Sequence, residues 1–375
     1  MAERNELEAL RERIDRIDGE LVRLLGERRA VVEQVAEIKK RRNLPLYHPA
    51  REEDLISRRR EEARRAGLDP DTVEDVFRRL LRASRVSQSA ALAAHAVRPG
   101  ARVLLVGGRG AMGRCLERWF GEAGYEVRVL DRDDWPRAEE LCREVDLALL
   151  SVPIDATPAV ARRLGPLLPA GSVLADITSV KRAPLEAMLE AHRGPVLGLH
   201  PMFGPTTTTM DKQIVVVTPG RGREAWTWVL EQLAAWGAVL VEAGAEEHDE
   251  AMAVVQALRH FATFTFGQFL CRKGVDLERS LEFSAPIYRL ELGMVGRLFA
   301  QDPALYAEII FATPERRQLL RDYVESMGEN LALLEAGDKE GFCREFRKIA
   351  RWFGPFGDQA MRESSYLIEK LVERF

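Results

Sequence analysis

Arg102-Val-Leu-Leu-Val-Gly-Gly-Arg-Gly-Ala-Met-Gly113 decides the fold of the region around it. Four apolar residues, Val103–Val106, predict a buried strand that runs directly into Gly108-x-Gly110-x-x-Gly113. An amphipathic stretch, Cys115–Glu122, comes next, and a second predicted strand, Tyr125–Leu130, ends on Asp131. Strand, glycine turn, helix, strand and terminal acid in this order are what a dinucleotide needs. Glycines admit a pyrophosphate close to the backbone, the helix aims its N-terminus at it, and the acid accepts from ribose hydroxyls. Gly108, Gly110, Met112, Gly113 and Asp131 are therefore the expected cofactor-binding residues. Asp131 would repel a 2′-phosphate, which favours NAD over NADP, although Arg132 beside it offsets part of that charge.

Downstream, strands are expected at Leu147–Val152, Val173–Asp176, Val196–Leu199 and Ile214–Val217, most of them separated by helical intervals. Such alternation predicts a Rossmann-type, mostly parallel sheet domain over residues 101–243. Parallel sheets bind ligands beyond the carboxyl ends of their strands. Two polar clusters fall there: Asp176-Ile-Thr-Ser179-Val-Lys181 and Gly198-Leu-His200-Pro-Met-Phe-Gly-Pro205. Pro201 confines the backbone of His200 to extended geometry and so fixes the direction of its imidazole. His200 and Ser179 are the expected catalytic pair of this region. From residue 244 to 375 the pattern is helical, interrupted at Gly274, Pro286, Pro303, Pro314, Gly337 and Gly354-Pro355. Met252–Leu270 is apolar nearly all round, with Phe264, Phe266 and Phe269, which suits a buried interface in an all-helical dimerisation domain.

Upstream, residues 86–100 fade from helix into a Pro99-Gly100 break, the expected joint after an N-terminal domain of residues 1–94. Between Asn5 and Arg42 there is no proline, and Leu7, Leu10, Ile14, Ile17, Leu21, Leu24, Val31, Val35 and Ile38 alternate in threes and fours. One helix, roughly 55 Å long at about 1.5 Å per residue, accounts for this spacing, and it needs a partner along its length. Further helices are expected at about Pro49–Arg65 and Asp71–Ala94. The apolar rhythm lands on Arg28, and a charge on a seam is costly unless it meets an anion. Lys39 shares nearly the same face, Arg51 and Glu52 open the second helix, and Ser84 and Gln88 lie one turn apart on the third. Together these groups suit a small dianion with hydroxyl and ether oxygens. Arg11 lies 17 residues before Arg28, roughly 25 Å along the axis and about 100° around it, so it should serve a second pocket in a two-fold dimer.

Length of 375 residues predicts two or three domains, and a net charge of −4 argues against nucleic acid as the main partner. No apolar run approaches the length of a membrane span, and Met-Ala-Glu-Arg-Asn-Glu lacks the apolar core of a signal peptide, so a cytoplasmic protein is expected. Cys115, Cys142, Cys271 and Cys343 have no metal or redox spacing and read as reduced, buried thiols; no metal site is expected.

Leu10-Arg11-Glu12, Glu27-Arg28-Arg29, Lys39, Arg51-Glu52-x-Asp54-Leu55 and Ser84-x-x-x-Gln88 resemble the all-helical chorismate mutases. That resemblance implies a Claisen rearrangement of chorismate to prephenate without a cofactor. It implies that Arg11 and Arg28 bind carboxylates, and that Lys39 and Gln88 donate to the ether oxygen. Lys39 also meets a carboxylate, and Arg51, Glu52 and Ser84 fix the ring end. Position 48, acidic in some relatives, is His48 here and is left out of the site. The strand-end clusters, together with Glu247-His-Asp249, Gln256-Ala-Leu-Arg-His-Phe-Ala-Thr-Phe264 and Ser284-Ala-Pro-Ile-Tyr-Arg-Leu-Glu-Leu-Gly-Met-Val-Gly-Arg-Leu298, resemble the prephenate dehydrogenases. The domain order resembles the bifunctional T-protein family of tyrosine biosynthesis. Implied are oxidative decarboxylation of prephenate with NAD, His200 as acceptor of the hydroxyl proton, and Ser179 orienting it. Arg297 would grip a substrate carboxylate, and His260 is a further substrate-binding candidate. A homodimer is implied, and tyrosine feedback would act at or near these domains. Arogenate as substrate, or a helical arm without chemistry, are the alternatives; Arg28, Lys39 and Gln88 speak against the second, because a structural arm prefers apolar seams.

Overall fold

The computed structural model describes residues 2–41, 49–93 and 95–372, with side chains over 7–38, 50–85 and 95–372. It divides into two compact units, one of residues 1–152 and 156–245, the other of residues 153–155 and 246–375.

The first unit opens with three helices, α1 (Ala2–Arg41), α2 (Pro49–Arg65) and α3 (Pro70–Ala93). At about 1.5 Å per residue the 40-residue α1 spans roughly 60 Å. Pro49 and Pro70 stand at the first positions of α2 and α3, where proline's missing N–H costs nothing. Both α1 and α2 pack on α3, burying Ala36, Ile56 and Ala63. Most of the apolar rhythm of α1 stays exposed within the chain, from Leu7 and Leu10 to Val35 and Ile38.

A seven-stranded sheet follows: β1 (Arg102–Val106), β2 (Glu126–Leu130), β3 (Leu147–Leu150), β4 (Val173–Asp176), β5 (Val196–Pro201), β6 (Ile214–Pro219) and β7 (Val239–Glu242), in the order β2-β1-β3-β4-β5-β6-β7. The first five strands are parallel; β6 runs antiparallel to β5 and parallel to β7. The helices of this region are α4 (Ala111–Glu122), α5 (Ala138–Leu141), α6 (Thr157–Leu164), α7 (Arg182–Ala191) and α8 (Arg223–Ala235). Successive side chains of a strand face opposite ways, so β1 supplies Val103 and Leu105 to one core and Leu104 and Val106 to the other. The first core is aromatic: Trp119 and Phe120 of α4 meet Trp236, and Phe120 also meets Tyr125. Full burial of such rings contributes on the order of 2–3 kcal/mol each. Gln232 of α8 is buried there and ties down the Pro-Gly joint. Its Oε1 accepts from Val97 N–H at 2.8 Å and from the Tyr125 hydroxyl at 2.6 Å, and its Nε2 donates to the His95 carbonyl.

The second unit is helical: α9 (Ala245–Met252), a π-helical segment (Ala253–Leu258), α10 (Arg259–Lys273), α11 (Leu277–Glu282), α12 (Pro286–Phe299), α13 (Pro303–Phe311), α14 (Pro314–Glu335), α15 (Lys339–Phe353) and α16 (Pro355–Val372). The expected punctuation is reproduced. Four of these helices start on proline, and Gly274 caps α10 in the left-handed conformation (φ +62°).

Some expectations need correction. Strand β7 carried no legible signal, because Val239-Leu-Val-Glu242 is short, half exposed and follows a helix without a polar turn. Met252–Leu270 is no continuous α-helix, since Ala253–Leu258 is π-helical; Val254, Val255, Phe264 and Phe269 are exposed within the chain, as side chains of the expected interface would be. All four cysteines are free, but only Cys115 and Cys142 are buried; Cys271 and Cys343 lie at the surface. Among the described residues no helix is long and apolar enough to cross a membrane, and no cluster of histidine, cysteine and carboxylate residues suits a metal.

Candidate functional site

In the helical segment, Arg28 reaches from α1 to α3. Its Nη1 donates to Ser84 Oγ at 2.7 Å, and that hydroxyl donates to the Leu80 carbonyl one turn back. Arg28 is half buried, and desolvation lowers the pKa of its guanidinium. A buried cation bonded to a neutral hydroxyl retains most of its charge for an anion, which a purely structural seam has no reason to keep. Glu52 of α2 faces the same helix α3, where Arg85 Nη1 bonds its Oε1 at 2.5 Å. Arg51 at the start of α2 is exposed. Arg11, far along α1, is exposed and pairs only loosely with Glu8 at 3.4 Å; it does not join Arg28 within one chain. The side chains of Lys39 and Gln88 lie outside the described residues, as does His48 altogether. Their helices nevertheless put the backbone of Lys39 on α1 and that of Gln88 one turn past Ser84 on α3.

At Gly107, Gly108 and Gly113 the glycine loop between β1 and α4 is packed too closely for a side chain. A Cβ on Gly107 (φ +79°) would stand 2.4 Å from the Ser151 carbonyl oxygen beyond β3, and one on Gly108 would meet Val129 at 2.8 Å. One on Gly113 would lie 2.6 Å from both the Cα and the carbonyl oxygen of Gly108. Helix α4 thereby approaches the strand end, and its N-cap, Gly110, offers no side chain to cap the first turn. Uncapped N–H groups at a helix start suit a diphosphate. The loop also sits where strand order departs from β1 toward β2 on one side and β3 on the other, the switch point at which such sheets take a dinucleotide. Met112 is partly buried and packs on the aromatic core beneath the loop.

Asp131 ends β2 as expected. Its carboxylate accepts the Arg109 N–H at 3.1 Å and the Arg132 N–H at 2.8 Å, while its own N–H donates to Asp134 at 2.9 Å. A carboxylate has about four acceptor positions, so capacity remains for ribose hydroxyls. Asp134 also holds the Arg109 guanidinium at 2.9 Å. The backbone bond from Asp131, with Arg109 beside it, keeps the Asp134 carboxyl below its ordinary range. Two acids thus line the end of β2, which suits NAD and disfavours a 2′-phosphate.

His200 lies inside β5 rather than after it, paired in register with Val216, and is 2% exposed. Ser179 follows the adjacent parallel strand β4, so both stand at the carboxyl edge that also carries the glycine loop. Sequence reasoning passed over Lys181, although it closes the same Asp176-to-Lys181 cluster. Lys181 is fully buried, its Nζ paired with Asp176 and donating at 2.8 Å to the carbonyl of Leu199, the residue before His200. Asp176 Oδ1 is buried without a partner among the described residues. A lysine at this spacing from a strand-end acid was the available signal.

In the second unit, Arg297 is exposed on α12 between buried Val295 and Leu298. His260 is buried, stacked edge-to-face on Tyr306 with centroids 4.8 Å apart, and its Nδ1 has no partner among the described residues. Burial, with Arg259 nearby, pushes its pKa down to about 4, so the imidazole is neutral at ordinary pH. The preceding π-helical segment widens the turn that presents it, a distortion frequent at functional sites.

Comparison with known proteins assigns each segment to a family. Residues 10–89 match the family of chorismate mutase type II. Residues 122–242 match the prephenate dehydrogenase nucleotide-binding domain, and residues 244–348 the prephenate dehydrogenase dimerization domain. The T-protein of Enterobacter agglomerans is 47% identical over 97% of this chain and 97% of its own, and the T-protein of Haemophilus influenzae 42% over the same shares. Among solved structures, prephenate dehydrogenase from A. aeolicus in complex with hydroxyphenyl propionate and NAD+ superposes with a TM-score of 0.53, covering 68% of this chain and 97% of that one. At 18% identity that likeness is one of fold. The chain belongs to the T-protein family of bifunctional chorismate mutase/prephenate dehydrogenases of tyrosine biosynthesis, with NAD as the cofactor of its second reaction.

Proposed function

We propose that the two reactions divide over three functional domains, residues 1–94 for the mutase, 101–243 for NAD and 244–375 for substrate and dimerisation. In the mutase site Arg28 and Lys39 hold the carboxylates of chorismate, and Lys39 and Gln88 donate to its ether oxygen. Arg51, Glu52 and Ser84 orient the ring end. The C–O ether bond breaks as the new C–C bond forms, with no covalent link to the protein. Catalysis comes from holding the reactive conformer and stabilising charge on the departing oxygen. Arg11 completes this site from the second copy of a homodimer. The exposed apolar stripe along α1 supports that assembly, since a roughly 60 Å helix with one bare face needs a partner.

In the dehydrogenase site the backbone N–H groups of Gly108, Gly110, Met112 and Gly113 receive the diphosphate, and Asp131 the adenosine ribose. Bound NAD supplies the hydride acceptor. His200 takes the proton of the prephenate C4 hydroxyl as the C4 hydride leaves. Electrons of the ring carboxylate bond then enter the dienone, CO₂ departs, and the ring becomes aromatic as 4-hydroxyphenylpyruvate. Ser179 orients His200 or the hydroxyl, Arg297 binds a substrate carboxylate, and neutral His260 contributes a hydrogen bond to substrate. Tyrosine, the end product, is proposed to inhibit within these domains, and the enzyme to work in the cytoplasm.

The common carboxyl edge of β1, β4 and β5, which carries the glycine loop, Ser179 and His200, is the observation that supports this assignment best. Purified protein given chorismate and NAD should lose chorismate and gain NADH in one vessel. His200→Asn should stop NADH formation while chorismate is still consumed. NADH formation retained in His200→Asn would remove His200 from the dehydrogenase site.

A further inference from the structure

Residues 210–213 form a tight turn between β5 and β6, closed by the Gln213 N–H donating to the Met210 carbonyl and the Asp211 N–H to Thr209 Oγ1. Lys212 sits there at φ +58°, a left-handed conformation that costs a non-glycine residue about 1–3 kcal/mol. The Lys212 N–H donates to the Gly237 carbonyl at 2.9 Å, and a Cβ on Gly237 would press on Asp211 Cα at 3.1 Å. The chain is therefore forced to present Asp211 and Lys212 together, and both turn toward the mutase helices. Asp211 bonds Arg85 Nε through Oδ1 at 2.8 Å and Oδ2 at 3.0 Å, and Arg85 Nη1 then reaches Glu52 Oε1. Lys212 Nζ stands 3.4 Å from the other Glu52 oxygen. The side chains of Arg85 and Asp211 are 9% and 7% exposed, so little solvent screens the pair. Burial pulls the Arg85 guanidinium down, but its bonds to Asp211 and Glu52 more than offset this and hold it above its ordinary value.

Both oxygens of Glu52 are thus engaged by groups whose own positions depend on the nucleotide-binding half. We propose that Asp211, through Arg85, and Lys212 directly are positioning residues of the mutase reaction, setting the orientation of the carboxylate that meets the ring end of chorismate. The inference rests on the assignment of Glu52 to the mutase site. The mutase site is accordingly not contained in the first 94 residues; its ring-binding acid, Glu52, is aligned by a turn at Asp211 and Lys212, far along the chain in the nucleotide-binding half.

The test uses the full-length protein. Asp211→Ala should raise KM for chorismate about tenfold with kcat within about threefold, since contact with the ring end is made in substrate and transition state alike. A misalignment near 1 Å can cost up to about 10²-fold. Asp211→Glu should recover most of the loss. Arg85→Met and the double variant Arg85→Met/Asp211→Ala should share one KM, because both changes act through a single guanidinium. Should Asp211→Ala melt early, Lys212→Met carries the test; its exposed side chain is no part of a core, and KM should rise about threefold. Glu52→Gln separates the two readings. If it leaves KM unchanged, the assignment of Glu52 falls. If it raises KM while Asp211→Ala and Lys212→Met leave it within 1.5-fold, the positioning role is overturned.

Discussion

Gly113→Ala isolates the geometric basis of NAD binding. The added methyl would lie 2.6 Å from Gly108 Cα, 2.6 Å from Gly108 O and 2.7 Å from Gly107 O, where ordinary contacts begin at 3.4 Å. All three neighbours are backbone, so no side chain can swing aside, and the loop must open by about 0.8 Å relative to α4. That displacement takes the Gly108–Gly110 backbone out of register with the helix N-terminus. Losing alignment of about two charge-assisted N–H bonds, at roughly 1.5 kcal/mol each, amounts to about 3 kcal/mol. NAD should then bind about 10²-fold more weakly. The assay is KM for NAD at saturating prephenate, backed by titration of intrinsic tryptophan fluorescence, with mutase turnover measured on the same sample. Gly121→Ala is the internal control. It lies in the same helix with nothing within 4 Å, so it should leave NAD affinity alone and stabilise α4 by about 0.5–1 kcal/mol. A Gly113→Ala enzyme with KM for NAD within threefold of the parent would refute the packing account. So would an equal fall in mutase turnover, which would signify collapse of the whole unit.

The other predictions concern the chemistry. His200→Asn should lower the dehydrogenase rate by about 10²–10⁴-fold with mutase turnover retained, measured by NADH and chorismate absorbance in parallel. Gln88→Glu should confine mutase activity to acidic pH, because only a protonated carboxyl can donate to the ether oxygen; an unaltered pH profile would remove Gln88 from the site. Arg297→Gln should raise KM for prephenate and leave NAD affinity as it was, and weakened NAD binding would contradict a carboxylate role. For His260 the sign follows from burial: its folded pKa of about 4 lies below the ordinary 6.5, so the unfolded chain binds the extra proton. Stability is therefore fully present above pH 6.5 and declines as pH falls toward 4; denaturant unfolding of His260→Gln should show a flatter dependence across that window.

Much of this protein was legible because short-range punctuation is local physics. Pro49, Pro70, Pro286, Pro303, Pro314 and Pro355 each begin a helix, and Gly274 ends one, since a missing N–H or a left-handed φ has the same consequence in any fold. Arg28 was legible for a related reason: a charge on an apolar seam calls for a ligand wherever the seam is buried. What proved unreadable left no mark in the local pattern. The π-helical turn at Ala253–Leu258 could not be foreseen, because a run apolar nearly all round carries no period from which a change of helical pitch could be read. Strand β7 was lost for want of alternation, its existence resting on pairing with β6.

Long-range charge pairing was the least accessible property, and it bears on why the two enzymes share a chain. Arg85 and Asp211 are 126 residues apart, and each alone reads as an ordinary solvated charge on a helix or turn. Only the approach of the β5–β6 turn to α3 makes them a buried pair. The same turn leads into β6, the strand that pairs with β5 and sets Val216 opposite His200. Breaking a buried pair is far costlier than never forming it, because the partner left behind stays desolvated. Loss of Asp211 would therefore be felt at Glu52 while the turn leading into β6 lost its anchor, so the ion pair resists separation of two activities that a peptide bond alone would merely tether.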